Sequence, residues 1–140
     1  MDRRLIVCGV VVALASLLLG LLVHGVLLRG AYAALAGGGL LRTTGAQGFL
    51  PWLLAAHALS GFGLAWLYRQ VAPHGERSLT RGLRFGAGMA LAAVLPSTML
   101  AYAMQPWPAA LAYAQLLYGT ASMLVLGMLL GYLHPRRTSL

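Results

Sequence analysis

The side chains most able to do chemistry are two histidines and a few uncharged polar residues that interrupt long apolar runs. If those runs lie in lipid, each polar group is costly to place there and marks a candidate site. An imidazole can coordinate haem iron or a transition metal, bind a ligand, or carry a proton. The candidates for cofactor binding are His24 and His57, and the candidates for ligand binding are His24, His57, Ser97, Thr98, Tyr102 and Gln115.

Helical spacing predicts that three of these side chains point toward one interior. Residues three or four apart share a helix face, and each of the three falls in such a set with small residues. The sets are Ser16, Gly20 and His24; His57, Ser60 and Gly61; and Gln115, Gly119 and Ser122. We therefore expect His24, His57 and Gln115 to converge inside a helix bundle.

The sequence leaves three uses of this polar cluster open. Histidine and glutamine side chains can hydrogen-bond across helices and fix a bundle, which is the use that the pattern favours. The cluster could instead bind a small ligand or carry protons. Two histidines could also ligate haem or a metal, but there is no third histidine at that depth and no carboxylate in an apolar run. No metal site and no cofactor is therefore predicted, and haem is kept as an alternative.

Enzyme activity is not expected. The only acidic residues, Asp2 and Glu76, lie outside the apolar runs, so carboxylate acid–base chemistry has no residues there. The serines do not form a nucleophile elbow, and a chain without lysine has no phosphate-binding loop. The single cysteine, Cys8, excludes an intramolecular disulfide and is interpreted as a small buried residue.

Composition requires a bilayer around these residues. Of 140 residues, 60% are hydrophobic and 9% charged, with a mean hydropathy of +0.80. So few charges cannot cover the surface of a small soluble domain. Four apolar runs are long enough to cross the hydrocarbon core as helices. We predict an all-α integral membrane four-helix bundle, a single membrane domain over residues 1–140, with spans at about 5–28, 49–68, 83–104 and 109–133, an outer loop at 29–48 and a cytoplasmic loop at 69–82.

Charge predicts orientation and location. The chain has ten arginines, no lysine and a net charge of +8. Because the arginines occupy short segments between apolar runs, they indicate topology and contacts with anionic lipid headgroups rather than nucleic-acid binding. Eight lie on the side of the two termini and two in the outer loop. Both termini are therefore predicted to be cytoplasmic, and the arginine-only, alanine- and leucine-rich usage suggests a bacterial inner membrane.

Small residues and one proline predict how the helices pack. Lipid does not drive helices together by burial, so close backbone contact at small residues must do so. The third run offers Gly82, Gly86 and Ala90, and the fourth offers Gly127-x-x-x-Gly131. We expect these to pack inside one chain, with a seam between two copies as the alternative. Pro96 should kink the third helix, and a short surface helix near residues 31–35 is one option for the loop at 29–48.

The motifs together resemble a group of small bacterial four-helix membrane proteins to which no function is assigned. The motifs are His24-Gly25 with Tyr32, His57 with Trp66-Leu67-Tyr68, the run Arg81-Gly82-Leu83-Arg84-Phe85-Gly86, and Tyr102-Ala103-Met104-Gln105-Pro106. The resemblance implies four spans and assigns no catalytic or binding residue. Fluoride channels and small multidrug exporters are not similar, since the membrane-embedded glutamate of the exporters is missing.

Three functions remain in competition. The leading hypothesis is a non-enzymatic structural or partner-binding subunit of the inner membrane, acting as a homo-oligomer or with another membrane protein. The first alternative is a small-solute or ion carrier or channel that uses the polar cluster. The second is a haem- or metal-binding membrane protein that uses His24 and His57.

Overall fold

Four long apolar helices make up most of the chain. The computed structural model describes residues 3–39, 45–72 and 78–133. Within these ranges every secondary-structure element is a helix, and four helices are long and apolar enough to cross a bilayer, which confirms the predicted all-α fold class. They are Arg3–Leu27, Phe49–Val71, Leu79–Met104 and Ala109–Leu133. We call them the first to fourth spans.

The first span changes helical form near its end. α1 covers Arg3–Gly20 and continues as a π-helical turn over Leu21–Leu27, and Leu28 N–H donates to the Val23 carbonyl in the wider π pattern. α2 follows directly over Arg29–Gly37, so the predicted short surface helix exists and is longer than residues 31–35. α3, over Phe49–Val71, forms the second span.

The third span begins earlier than predicted. α4 covers Leu79–Met89, a π-helical turn covers Ala90–Val94, and α5 covers Leu95–Met104. Ser78 accounts for the earlier start, because its hydroxyl accepts a hydrogen bond from Arg81 N–H at 3.2 Å and so caps the helix. Residues 79–82, placed in the cytoplasmic loop by sequence, are therefore helical. A π-helical turn lies just before Pro96, the residue at which the sequence predicts a kink.

α6, over Ala109–Leu133, forms the fourth span and completes two tightly packed helix pairs. α1 packs mainly on α3, and α4 packs mainly on α6, while α1 and α6 connect the pairs. Glycine permits both close contacts. A Cβ atom on Gly61 would lie less than 3.0 Å from the Ala13 backbone, and one on Gly82 less than 3.0 Å from the Gly127 carbonyl. The Gly127-x-x-x-Gly131 motif is thus used inside the chain.

Two apolar clusters define the two ends of the bundle. The larger joins Leu5 near the start of α1, Tyr68 near the end of α3, Phe85 on α4 and Leu133 at the end of α6, so we call this the terminal end. The smaller joins Val23, Leu28, Leu35 and Leu111 and lies at the opposite end, the α2 end. Among the described arginines, Arg3, Arg4, Arg69, Arg81 and Arg84 lie toward the terminal end and Arg29 at the α2 end.

Candidate polar site at the α2 end

α2 brings two of the predicted site residues together through a tyrosine. Leu35 and the ring of Tyr32 pack with Leu111 and Val23, which holds α2 against the first span and the beginning of α6. In that position the Tyr32 hydroxyl lies 2.8 Å from His24 Nδ1 and accepts a short hydrogen bond from Gln115 Nε2. One hydroxyl therefore links the first span, α2 and the fourth span.

The direction of these bonds follows from the donors available. Gln115 Nε2 can only donate, so the Tyr32 oxygen accepts from it. The tyrosine proton is then available to His24 Nδ1, which would accept it in the tautomer that carries its proton on Nε2. The His24 and Tyr32 rings lie 5.5 Å apart between centroids, tilted by 59°. His24 itself is exposed and lies on the π-helical turn.

His57, on α3, packs against the face of α1 that carries Ser16 and Gly20. Its Nδ1 lies 2.8 Å from the Ser16 hydroxyl. Its ring also covers Gly20, because a Cβ atom on that glycine would lie 2.8 Å from His57 Cε1 and 2.9 Å from Nε2. His24 lies four residues beyond Gly20, on the π-helical turn that follows α1. The two imidazoles are therefore neighbours along the first span, and no hydrogen bond of the described residues joins them to a common group. Ser16 and Gly20 of the predicted stripe contact α3 through His57. His24, the third residue of that stripe, contacts α2 through Tyr32.

The remaining candidates lie on α5 and do not join these networks through any hydrogen bond in the described part of the chain. Ser97 is exposed and donates to the Val94 carbonyl of its own helix at 3.1 Å. Thr98 is partly buried, and Tyr102 is exposed. The sequence placed all three at a similar depth to His24. Among the other spans α5 packs mainly against α6, whereas His24 bonds to α2.

Two residues that complete the networks were absent from the predicted candidates. Ser16 had been placed on the packing stripe only, although its spacing from His24 already put it on the same face. Tyr32 lies beyond the first span, in a segment for which a helix was only an option. Its role depends on how α2 folds back over α6, which local sequence does not specify.

The environment of Tyr32 favours its neutral form. Burial against the apolar cluster raises the pKa of the Tyr32 phenol above its ordinary value of 10.0, and the hydrogen bond from Gln115 partly opposes this rise. A neutral phenol can donate and accept at once, as the bridge between His24 and Gln115 requires.

The geometry favours hydrogen bonding over metal or haem ligation at this site. Among the described residues no group of three or more His, Cys, Asp or Glu side chains is placed to hold a metal ion. His57 uses Nδ1 toward Ser16, and its Nε2 faces the α1 backbone at Gly20. A haem iron at Nε2 would require the ring to move away from Gly20.

Comparisons of the chain with protein-family models, curated proteins and solved structures find no match. The chemistry of the site therefore rests on the contacts above: two hydrogen-bonded links, Ser16–His57 and His24–Tyr32–Gln115, each joining different helices.

Proposed function

We propose that this chain is a multi-pass protein of a bacterial inner membrane, with both termini in the cytoplasm, that acts without enzymatic activity as a structural or partner-binding subunit. Four helices of spanning length and apolarity support the membrane location. The proposal agrees with the resemblance to small bacterial four-helix membrane proteins.

The observation that carries the proposal is the pairing of the polar side chains with one another. Ser16 with His57, and His24 with Tyr32 and Gln115, connect separate helices. Polar groups used in this way stabilise the relative position of helices in lipid. A site built to turn over a substrate would instead direct such groups into a shared cavity.

The outer faces of the helices supply the surface for partners. Large apolar side chains are exposed on every span, and within Leu95–Met104 none of the residues is buried. In a bilayer these faces meet either lipid or another protein. A partner-binding subunit would use one or two of them and leave the others to lipid.

Site-specific photo-crosslinking in native membranes tests the partner-binding proposal. A benzophenone amino acid is placed, one position at a time, at an exposed apolar residue of each span: Leu18, Leu59, Leu100 and Leu117. We expect a protein adduct of defined mass from one or two positions and lipid adducts alone from the rest. Lipid adducts alone at all four positions would contradict partner binding through these faces.

Cysteine labelling tests the orientation. Cys8 is first replaced by alanine, because it is the only cysteine. Arg29→Cys at the α2 end and Arg4→Cys at the terminal end then provide one thiol each. In intact spheroplasts a membrane-impermeant maleimide should label the first variant and not the second. Labelling of Arg4→Cys alone would reverse the proposed topology.

A second candidate function, a carrier for a small solute or ion, is favoured by one observation. His24 is exposed and lies on a π-helical turn, and such turns occur frequently at functional sites. Uptake of candidate solutes into liposomes containing the pure protein tests it. A carrier would lose flux in Gln115→Leu, which removes the partner of Tyr32, and retain it in Gln105→Leu, which lies in the exposed turn before α6.

A further inference from the structure

A cleft opens between α1 and α3 at the terminal end. Its volume is about 360 Å³, and Leu5, Trp66, Arg69 and Gln70 line it. This volume falls in the range of pockets that hold small ligands, roughly 300–1,000 Å³. We call it the terminal cleft. It lies at the opposite end of the bundle from the His24–Tyr32–Gln115 network.

Three of the lining side chains share one face of α3. Trp66, Arg69 and Gln70 are spaced i, i+3 and i+4, so their side chains stand next to each other at the end of the helix. Leu5 forms the facing wall on α1. The Trp66 side chain is 52% exposed, and Arg69 and Gln70 are exposed as well, so a ligand can enter from the surface of the bundle.

The lining is polar at one side and apolar at the other. A guanidinium group can bind two oxygens of a phosphate at once, and the Gln70 amide can donate a further hydrogen bond. An indole prefers the boundary between headgroups and acyl chains. Leu5 continues the apolar side along α1. A phosphate group joined to a hydrocarbon chain has the same polarity pattern.

Charge in this region selects an anion. Arg3 and Arg4 precede Leu5 directly, and Arg69 lies in the cleft itself. The whole sequence holds ten arginines against two acidic residues. A zwitterionic headgroup would place its ammonium among these guanidinium groups, whereas an anionic phosphodiester adds no positive charge.

We propose that the terminal cleft binds one anionic phospholipid, with its phosphate at Arg69 and Gln70 and the beginning of an acyl chain along Leu5 and Trp66. The proposal rests on the membrane location proposed above. It goes beyond general attraction of arginines to a charged surface, because it predicts a lipid selected at one position of the bundle.

Quenching of Trp66 by brominated lipid tests the proposal directly. The chain has three tryptophans, and replacing Trp52 and Trp107 by phenylalanine leaves Trp66 alone. The full-length variant is placed in phosphatidylcholine bilayers with a small fraction of phosphatidylglycerol brominated on its acyl chains. We expect stronger quenching of Trp66 than the bulk fraction of brominated lipid predicts, and no such excess with brominated phosphatidylcholine at the same fraction.

Two matched comparisons test whether the lipid binds at the terminal cleft. A variant that keeps only Trp52, which is 75% exposed toward the α2 end, should follow the bulk fraction. Arg69→Gln in the Trp66-only protein should lower the apparent affinity for phosphatidylglycerol roughly tenfold, as expected for loss of a charge-assisted hydrogen bond. Arg29→Gln, the same change at an exposed arginine of the other end, should leave it unchanged.

Several results would overturn the proposal. One is an equal excess of quenching with brominated phosphatidylcholine, and another is equal excess quenching of Trp66 and Trp52. A third is an unchanged affinity for phosphatidylglycerol in Arg69→Gln. Loss of the excess on adding inorganic phosphate at the concentration of phosphatidylglycerol would assign the cleft to a free anion instead. Equal melting temperatures of Arg69→Gln and Arg29→Gln exclude misfolding, and Arg69→Lys, which keeps the charge without the planar fork, should bind with intermediate affinity.

This experiment is independent of the partner-binding proposal. Quenching is measured on the purified chain in defined lipid, while photo-crosslinking is measured in native membranes. A selected lipid without protein adducts would therefore contradict partner binding alone, and adducts without a selected lipid would contradict the lipid site alone.

Discussion

The Tyr32 hydroxyl joins three segments of the chain, since it accepts from Gln115 on the fourth span and reaches His24 on the first. Each of these bonds connects two different helical segments. Hydrogen bonds between helices in lipid contribute about 0.6 kcal/mol on average and about 1.7 kcal/mol at most. A single residue that makes two of them should therefore influence the stability of the whole α2 end.

Replacing Tyr32 by phenylalanine should measure this contribution. Tyr32→Phe keeps the ring that packs with Leu111 and removes both hydrogen bonds, so we expect the free energy of unfolding to fall by about 1 kcal/mol. The measurement is reversible unfolding of the detergent-solubilised protein by sodium dodecyl sulfate. Tyr113→Phe is the control, because Tyr113 is 72% exposed on the same helix as Gln115. Equal effects of the two substitutions would show that the bridge adds no stability.

The raised pKa of Tyr32 also predicts a dependence on pH. Burial is the main cause, so the folded protein binds the phenolic proton more tightly than the unfolded chain does. Its contribution is then complete below the unfolded pKa of 10.0 and is lost as pH rises through the folded value. As the pH rises above 10, the melting temperature should therefore fall more steeply for the wild type than for Tyr32→Phe. Parallel curves would contradict a raised pKa.

At the scale of helices, the sequence predicts the features that depend on the length of the apolar runs and on the spacing of small residues. Four apolar runs gave four helices, and the small residues of α4 and α6 meet as expected because a close contact needs glycine on both helices. The sequence does not predict either π-helical turn. They shift the register by one residue, and their hydrogen bonds depend on tertiary contacts rather than on the pattern of apolar residues.

The candidate site was predicted only in part for the same reason. His24 and Gln115 do approach each other, but through Tyr32 on α2, whose position depends on the packing of Leu35. His57 was placed on the correct face of α3. Its partner is nevertheless Ser16, which lies eight residues before His24. The offset between two helices follows from their packing and not from the spacing of residues within either one.

The glycine contact between α4 and α6 predicts a sharp difference between two alanine substitutions on α4. In Gly82→Ala the new Cβ would lie less than 3.0 Å from the Gly127 carbonyl, so the helices must separate. We expect a loss of about 1–3 kcal/mol in the free energy of unfolding. A Cβ placed on Gly88 would meet no heavy atom within 4 Å in the described part of the chain, apart from its chain neighbours and the backbone of its own helix. Gly88→Ala should be neutral or stabilise by up to about 1 kcal/mol through helix propensity.

Unfolding in sodium dodecyl sulfate, followed by circular dichroism, compares the two variants under one condition. Each substitution adds a single methyl group to the same helix, so the difference between them isolates the effect of the partner helix. If Gly82→Ala were as stable as Gly88→Ala, the close approach of α4 to α6 would be wrong.

The whole molecule consists of two helix pairs that meet along a limited surface. α1 with α3 and α4 with α6 make the extensive contacts, while the pairs meet through α1 against α6 and through Tyr68 against Phe85. The Tyr68 side chain is 1% exposed, and its ring meets that of Phe85 edge to face at 5.1 Å. In the proposed membrane location lipid supplies no hydrophobic drive between helices, so such packing contacts would hold the two pairs together.

Separating the pairs by cutting the chain provides the test. Fragments 1–72 and 73–140, expressed together in one membrane and carrying different tags, should be recovered as a complex in mild detergent because each contains one complete helix pair. Tyr68→Ala removes the aromatic contact at the junction and should weaken the association at least about tenfold, which corresponds to about 1.4 kcal/mol. Tyr113→Ala, at an exposed tyrosine of α6, should leave recovery unchanged. Equal recovery of both variants would place the connection between the pairs elsewhere, whereas failure of the unmutated fragments to associate would show that the segment after α3 is needed to hold them together.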